Sequence, residues 1–184
     1  MKSIKTGLAA YLASLLLAPG ISQGTPAESN PPAIASGHMV YTLADINMAD
    51  RHGRTALMRA IWQGNTEEVT RLIAAGADVN KAMKSGITPL MIAAIENHTD
   101  IAKALIAAGA DVNASTPLGI TVLMHAATYR ATDIAKALLA AGAKPNVLEK
   151  HGWKALQFAE WREAHDIAFI LRKKNEETST SEPD

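Results

Sequence analysis

The 184-residue chain carries 18 basic and 18 acidic residues, so its formal net charge is zero, and 48% of its residues are hydrophobic. This length and composition suit one domain with an ample core, and the balanced charge, without a basic stripe, gives no field that would favour nucleic acid or a membrane surface. Because the sequence has no cysteine, a disulfide framework, a zinc ribbon and a thiol nucleophile are excluded.

The N-terminal stretch has the order of charge and hydrophobicity that is typical of an export signal. Lys2 and Lys5 give a positively charged start, and residues 7–18 form an uncharged, mostly apolar run of 12 residues. A membrane-spanning helix needs about 20 apolar residues, so this run is too short to be one. Small residues at Ser22 and Gly24 then stand at the cleavage-site spacing, which predicts a signal peptide that is removed. A buried N-terminal helix is the alternative.

The following segment changes composition before a 33-residue period begins. Residues 25–38 are rich in Pro, Ser, Ala and Gly, which predicts a flexible linker. Residues 45–47 (Asp-Ile-Asn) lie 33 residues before the similar residues 78–80, so the period already holds there, although the preceding residues match poorly. We interpret 39–47 as a degenerate half-repeat that caps the first face of the array.

A 33-residue period organises the rest of the chain. The stretch from Ile101 to Asn113 returns as Ile134 to Asn146, and four glycines keep the same step: Gly53, Gly86, Gly119 and Gly152. Two features that keep one period, the glycines over four copies, indicate a repeat array, in which each unit buries its apolar face only against its neighbours. The predicted repeats are about 52–84, 85–117, 118–150 and 151–175.

Each of the first three repeats has start and stop residues for two helices. The threonine before the first apolar run is a predicted N-cap, because its hydroxyl accepts a free backbone N–H. These residues are Thr55, Thr88 and Thr121. A second cap is predicted at Thr66, Thr99 and Thr132. The second helix is expected to end at a left-handed glycine, which is Gly76, Gly109 or Gly142.

This pattern resembles the ankyrin repeat. The segments Gly86-Ile-Thr-Pro-Leu-Met-Ile-Ala-Ala94 and Ala108-Gly-Ala-Asp-Val-Asn113 carry the resemblance best, and it extends over about 45–175. It implies an all-α repeat solenoid, an ankyrin stack of about four helix-turn-helix repeats with β-hairpin fingers. Two positions depart from the family pattern. The usual histidine is replaced by methionine, which favours a buried sulfur column at Met58, Met91 and Met124. Arg130 and Glu163 stand where the turn between the helices usually has glycine, which leaves the geometry of those turns open.

The fourth repeat has the features of a C-terminal cap. Arg172 replaces an apolar position of the earlier repeats, and Asn175 stands in the glycine place, where asparagine tolerates a left-handed backbone. The acidic, polar residues after it predict a disordered tail. The predicted organisation is a signal peptide over 1–24, a flexible linker over 25–38, an ankyrin repeat domain over 39–175 and a disordered acidic tail over 176–184.

No pattern for catalysis is present in the sequence. The 6 histidines make no metal-ligand spacing with a carboxylate partner. A Gly-x-Ser-x-Gly elbow, a phosphate-binding loop and a dinucleotide fingerprint are also missing from the sequence. We therefore predict a protein that is not an enzyme and that needs no cofactor and no metal.

The first helices offer a candidate interaction surface instead. The resemblance implies that the face directed away from the second helix lines a concave groove beside the fingers. All three tryptophans and Tyr129 fall on this face, and Trp, Tyr and Arg are common at the centres of interfaces. The predicted partner-binding residues are Arg54, Arg59, Trp62, Gln63, Ile87, Ile95, Glu96, Ile120, Tyr129, Trp153, Trp161 and Arg162. In the alternative, the rings fill gaps in the core, or Trp153 and Trp161 only seal the last repeat.

The function expected from these observations is stoichiometric binding of another exported protein through the groove. The signal peptide predicts a periplasmic or secreted location, and the resemblance favours a bacterial source. The role would be that of an adaptor, a chaperone or an immunity-type companion, with the protein a monomer before binding and with no nucleic acid and no membrane insertion. The alternatives are an envelope scaffold that binds through the fingers and a non-catalytic subunit of an exported enzyme.

Overall fold

The computed structural model describes residues 34–35, 38–39 and 45–179. The predicted signal peptide and most of the predicted linker lie outside these residues. Two short strands, β1 (Ile34–Ala35) and β2 (His38–Met39), pair antiparallel with Ile34 opposite Met39. None of the described helices is long and apolar enough to cross a membrane.

The described part of the chain has eight helices, which alternate in length along the first three repeats. The first helices have seven residues: α1 (Ala56–Trp62), α3 (Pro89–Ile95), α5 (Val122–Thr128) and α7 (Ala155–Trp161). The second helices are α2 (Thr66–Ala74), α4 (Thr99–Ala107), α6 (Thr132–Ala140) and the longer α8 (His165–Ser179). Each first helix packs against its own second helix and against the first helix of the next repeat. The predicted helical repeat stack is therefore confirmed.

Local capping residues position the first helices as the sequence predicts. The hydroxyl of Thr55 accepts the N–H of Met58 at 3.3 Å, and Thr88 and Thr121 repeat this bond in their own helices. In the fourth repeat the threonine is replaced by Lys154, and the Gln157 side chain accepts the Lys154 N–H at 2.9 Å instead. Each bond satisfies one of the backbone N–H groups that the start of a helix leaves free.

The predicted second caps are wrong by one residue. The N-caps of α2, α4 and α6 are Asn65, His98 and Ala131, so the threonines already belong to the helices. The reason is the turn before them, in which Gly64 has a φ of 65° and its three counterparts have the same left-handed conformation: Asn97 at 57°, Arg130 at 59° and Glu163 at 56°. The turns at Arg130 and Glu163 thus keep the common geometry. Packing of the stack outweighs the roughly 1–2 kcal/mol that a side chain costs there.

Polar bonds between repeats run along the loops that follow the second helices. The Asn80 side chain donates to the Gly109 carbonyl at 3.1 Å and accepts the Asp111 N–H at 2.7 Å. Asn113 makes the same two bonds to Gly142 and Lys144. Asn47 makes them to Gly76 and Asp78, which shows that the 33-residue period already applies before the first full repeat.

The connections between repeats are tight turns. In the second repeat the Met83 N–H donates to the Ile87 carbonyl at 2.8 Å and the Gly86 N–H donates to the Met83 carbonyl at 2.9 Å, and the other repeats have the same pair of bonds. The predicted β-hairpin fingers are not confirmed, since an isolated bridge between Ser115 and Thr121 is the only strand pairing in residues 45–179. We keep the word finger for the turns at 50–54, 83–87, 116–120 and 149–153.

The last helix is longer than the sequence indicates. It continues to Ser179, so residues 176–179, for which the sequence predicts disorder, are helical. Asn175 is helical and does not adopt the left-handed conformation expected of it. The run of Arg, Lys and Glu has high helix propensity, and Lys174 pairs with Glu177 at 3.3 Å, one helical turn away. No glycine stands there to end the helix.

Candidate protein-binding surface

The first helices form the inner layer of the stack. Neighbouring first helices approach one another more closely than neighbouring second helices do. The exposed face of the first helices, with the fingers beside it, is the face that the family resemblance predicts to line the groove. This face carries the residues that the sequence pattern singles out.

Most of the predicted binding residues keep accessible surface there. Arg59, Gln63 and Arg162 are exposed. Half-buried are Arg54, Trp62, Ile87, Ile95, Glu96, Tyr129, Trp153 and Trp161. Ile120 differs, because only 4% of it is exposed, in line with the roughly 2 kcal/mol that burial of an isoleucine side chain provides. We call the eleven residues other than Ile120 the groove surface.

The tryptophans are not core residues. All three are half-buried, whereas Phe158, next to one of them, is 1% exposed. The Trp153 ring meets the Phe158 ring edge to face, with centroids 5.6 Å apart, so one side of Trp153 covers the core. The Arg162 guanidinium lies 5.4 Å from the centre of the Trp161 ring, a cation–π contact at the surface. The half-burial of these rings favours a surface role over gap filling.

Equivalent positions of successive repeats come together in one strip. Glu96, Tyr129 and Arg162 are 33 residues apart. Partial burial raises the pKa of Tyr129, the Glu96 carboxylate raises it further, and the Arg162 guanidinium acts in the opposite direction. The three side chains therefore interact electrostatically along the strip. Arg162 also donates from Nε to the Thr128 carbonyl at 2.8 Å, which holds the fourth repeat against the third.

Behind the groove surface lies a buried row of residues from the same helices. Ile92, His125 and Phe158 are 1%, 4% and 1% exposed. Among the described residues His125 Nε2 has no hydrogen-bond partner, and the Tyr129 ring lies 6.4 Å from the His125 ring between centroids. Burial lowers the pKa of His125 from 6.5 to about 4, so the ring is neutral at pH 7. It is a core group and is not available to a partner.

Sequence reasoning missed a basic column at the finger tips. Arg51, Lys84 and Lys150 are exposed and occupy equivalent positions of the first, second and fourth fingers. The spacing of these three residues by one and two repeat periods is visible in the sequence and could have revealed the column. In the described part of the chain no group of His, Asp and Glu side chains has an arrangement that would hold a metal ion.

Comparison with known families agrees with this architecture. Residues 32–116 match a family model described as ankyrin repeats (3 copies), and residues 105–159 match one described as ankyrin repeats (many copies). No curated protein matches the sequence. The two family matches together extend over more than half of the chain, from residue 32 to residue 159, and over helices α1 to α6. The chain therefore belongs to the ankyrin repeat family.

Proposed function

We propose that the protein is a non-catalytic binding module that holds another exported protein on its groove surface, as an adaptor, a chaperone or an immunity-type companion. Ankyrin repeats are in general protein–protein interaction modules. The observation that carries the proposal is the half-exposure of all three tryptophans on the inner side of the stack. Partly exposed aromatic rings that lie on one face are typical of a surface that binds a partner.

Truncation of the groove tryptophans tests the proposal. Trp62→Ala and Trp161→Ala should each weaken partner binding about 30-fold, because removal of an interface hot spot costs about 2 kcal/mol. Their effect on the melting temperature should be smaller than that of a core truncation, since both rings keep part of their surface exposed. Binding is measured by capture of the partner from an envelope extract and by titration of the captured protein.

Two other aromatic residues serve as controls for this experiment. Phe169 is 67% exposed on α8, so Phe169→Ala should change neither binding nor stability. Phe158 is buried, and Phe158→Ala should cost about 3–5 kcal/mol of stability. If both tryptophan variants bind as well as the unaltered protein, or melt as early as Phe158→Ala, the groove surface is not the binding site.

The proposed export has its own test. The signal-like residues 1–24 predict a mature chain that begins near Thr25 in the periplasm or the medium, and N-terminal mass spectrometry of cell fractions measures this. Leu16→Arg places a charge in the apolar run and should keep the uncleaved chain in the cytosol. Recovery of the unaltered chain with Met1 intact from the cytosol alone would contradict export.

A further inference from the structure

The finger tips present a row of positive charge beside the groove surface. Backbone bonds join neighbouring fingers: the Lys84 N–H donates to the His52 carbonyl at 3.2 Å, and the Lys150 N–H donates to the Leu118 carbonyl at 2.9 Å. These bonds hold the first finger beside the second and the third finger beside the fourth. The tips of the first, second and fourth fingers carry the exposed side chains of Arg51, Lys84 and Lys150, and the third tip carries Pro117.

The basic residues on this side of the stack are mostly not neutralised by acidic neighbours. The fingers and the first helices with their capping residues contain seven of them: Arg51, Arg54, Arg59, Lys84, Lys150, Lys154 and Arg162. Of these seven residues, Arg54 is the only one that forms an ion pair within the described part of the chain, to Asp50 at 2.6 Å. Six positive side chains on the finger and groove side thus have no carboxylate partner among the described residues.

The acidic residues of the same segments are fewer, and most of them already have bonding partners. There are four, of which Asp50 is paired with Arg54 and Glu160 is paired with Arg172 at 2.7 Å. The Glu149 side chain is fully buried and accepts the N–H groups of His151 and Trp153 within its own finger. Seven basic residues thus stand against four acidic ones in these segments, and Glu96 is the acidic residue for which the described part of the chain shows no bond.

On the opposite side of the stack, basic and acidic residues are nearly equal in number. The second helices carry six basic and seven acidic residues. Four of the six basic side chains form ion pairs: Arg71, Lys136, Arg172 and Lys174. The neutral net charge of the whole chain therefore conceals a positive inner side.

We propose that the partner of the groove surface is an acidic protein segment that carries apolar side chains. This inference rests on the proposed function and names the chemistry of its partner. Aspartate or glutamate side chains would face Arg59, Arg162 and the finger tips, while apolar side chains cover Trp62, Ile95 and Trp161. Charge complementarity of this kind raises the association rate and rejects basic competitors. The half-buried rings are the reason for a protein segment, since a bare polyanion leaves them uncovered.

A peptide selection tests the charge of the partner even while the partner itself is unidentified. Random 12-residue peptides are displayed and selected on the immobilised protein, and each enriched peptide is then titrated against variants. We expect the enriched peptides to combine acidic with aromatic or aliphatic residues. Arg59→Glu and Lys84→Glu should each lower the affinity for these peptides about fivefold, which corresponds to about 1 kcal/mol. This is the upper range for an exposed ion pair. Lys103→Glu, at an exposed position of α4, should leave the affinity unchanged. Added salt should lower the affinity for the unaltered protein.

The outcomes separate the charge of the partner from the location of the site. Neutral or basic peptides whose binding is lost in Trp62→Ala would overturn the acidic partner and keep the groove surface as the site. Acidic peptides that bind Lys103→Glu as weakly as Arg59→Glu would also overturn it, because the attraction would then not be local. A selection in which no enriched peptide depends on Trp62 or Trp161 would overturn the groove surface itself.

Discussion

Gly86→Ala is expected to lower the free energy of unfolding by about 2–5 kcal/mol, whereas Gly109→Ala should lower it by only about 1–2 kcal/mol. The two glycines share one backbone conformation, with φ of 84° and 85°. The strain that a side chain introduces into the left-handed region is therefore the same at both positions. Any difference in the free energy of unfolding between the two variants therefore comes from contacts with the neighbouring repeat.

The neighbour of Gly86 is the finger of the third repeat. A Cβ at Gly86 would lie 2.5 Å from Pro117 Cδ and 3.2 Å from the Thr116 Cα, whereas at Gly109 nothing lies within 4 Å. Urea unfolding of both variants measures the difference. In the Gly86→Ala background, Pro117→Ala removes the closest atom and should recover part of the loss, which a double-mutant cycle isolates. Equal unfolding midpoints for Gly86→Ala and Gly109→Ala would show that the finger contact is unimportant.

Acidification should destabilise the protein through His125 by about 3 kcal/mol. In the unfolded chain this ring takes up a proton near pH 6.5, whereas in the folded protein burial holds its pKa at about 4. Between these values the unfolded state binds the extra proton. The stability that depends on a neutral His125 is therefore fully present above pH 6.5 and is lost as the pH falls from 6.5 to about 4.

A substitution taken from the chain itself isolates this contribution. Ile92 occupies the equivalent position of the second repeat and is as deeply buried. His125→Ile removes the titrating ring and the unpartnered Nε2, so it should flatten the pH dependence of the unfolding free energy between pH 6.5 and 4 and raise stability at pH 4. Urea titrations over this pH range compare the two proteins, and the reciprocal Ile92→His should steepen the dependence. Parallel curves for His125→Ile and the unaltered protein would show that His125 does not carry the acid response.

The features that follow from local rules could be predicted from the sequence. The 33-residue period, the caps at Thr55, Thr88 and Thr121 and the left-handed glycine Gly109 are all present in the structure. A cap depends on one side chain and the N–H groups of the next turn, and a left-handed glycine depends on its own missing side chain. The face that carries the tryptophans follows in the same way from the helical period.

The depth of burial along that face was decided only by the tertiary structure. The sequence pattern places both Trp62 and Ile120 on the surface, yet Trp62 is half-buried and Ile120 is buried, because exposure depends on the side chains that neighbouring repeats place there. Arg130 adopts a glycine-like turn against its own preference because packing on both sides of the repeat outweighs the strain. The positive inner side likewise depends on tertiary structure, since the fold gathers seven basic and four acidic residues there, and it pairs Glu160 with Arg172 and buries the Glu149 side chain.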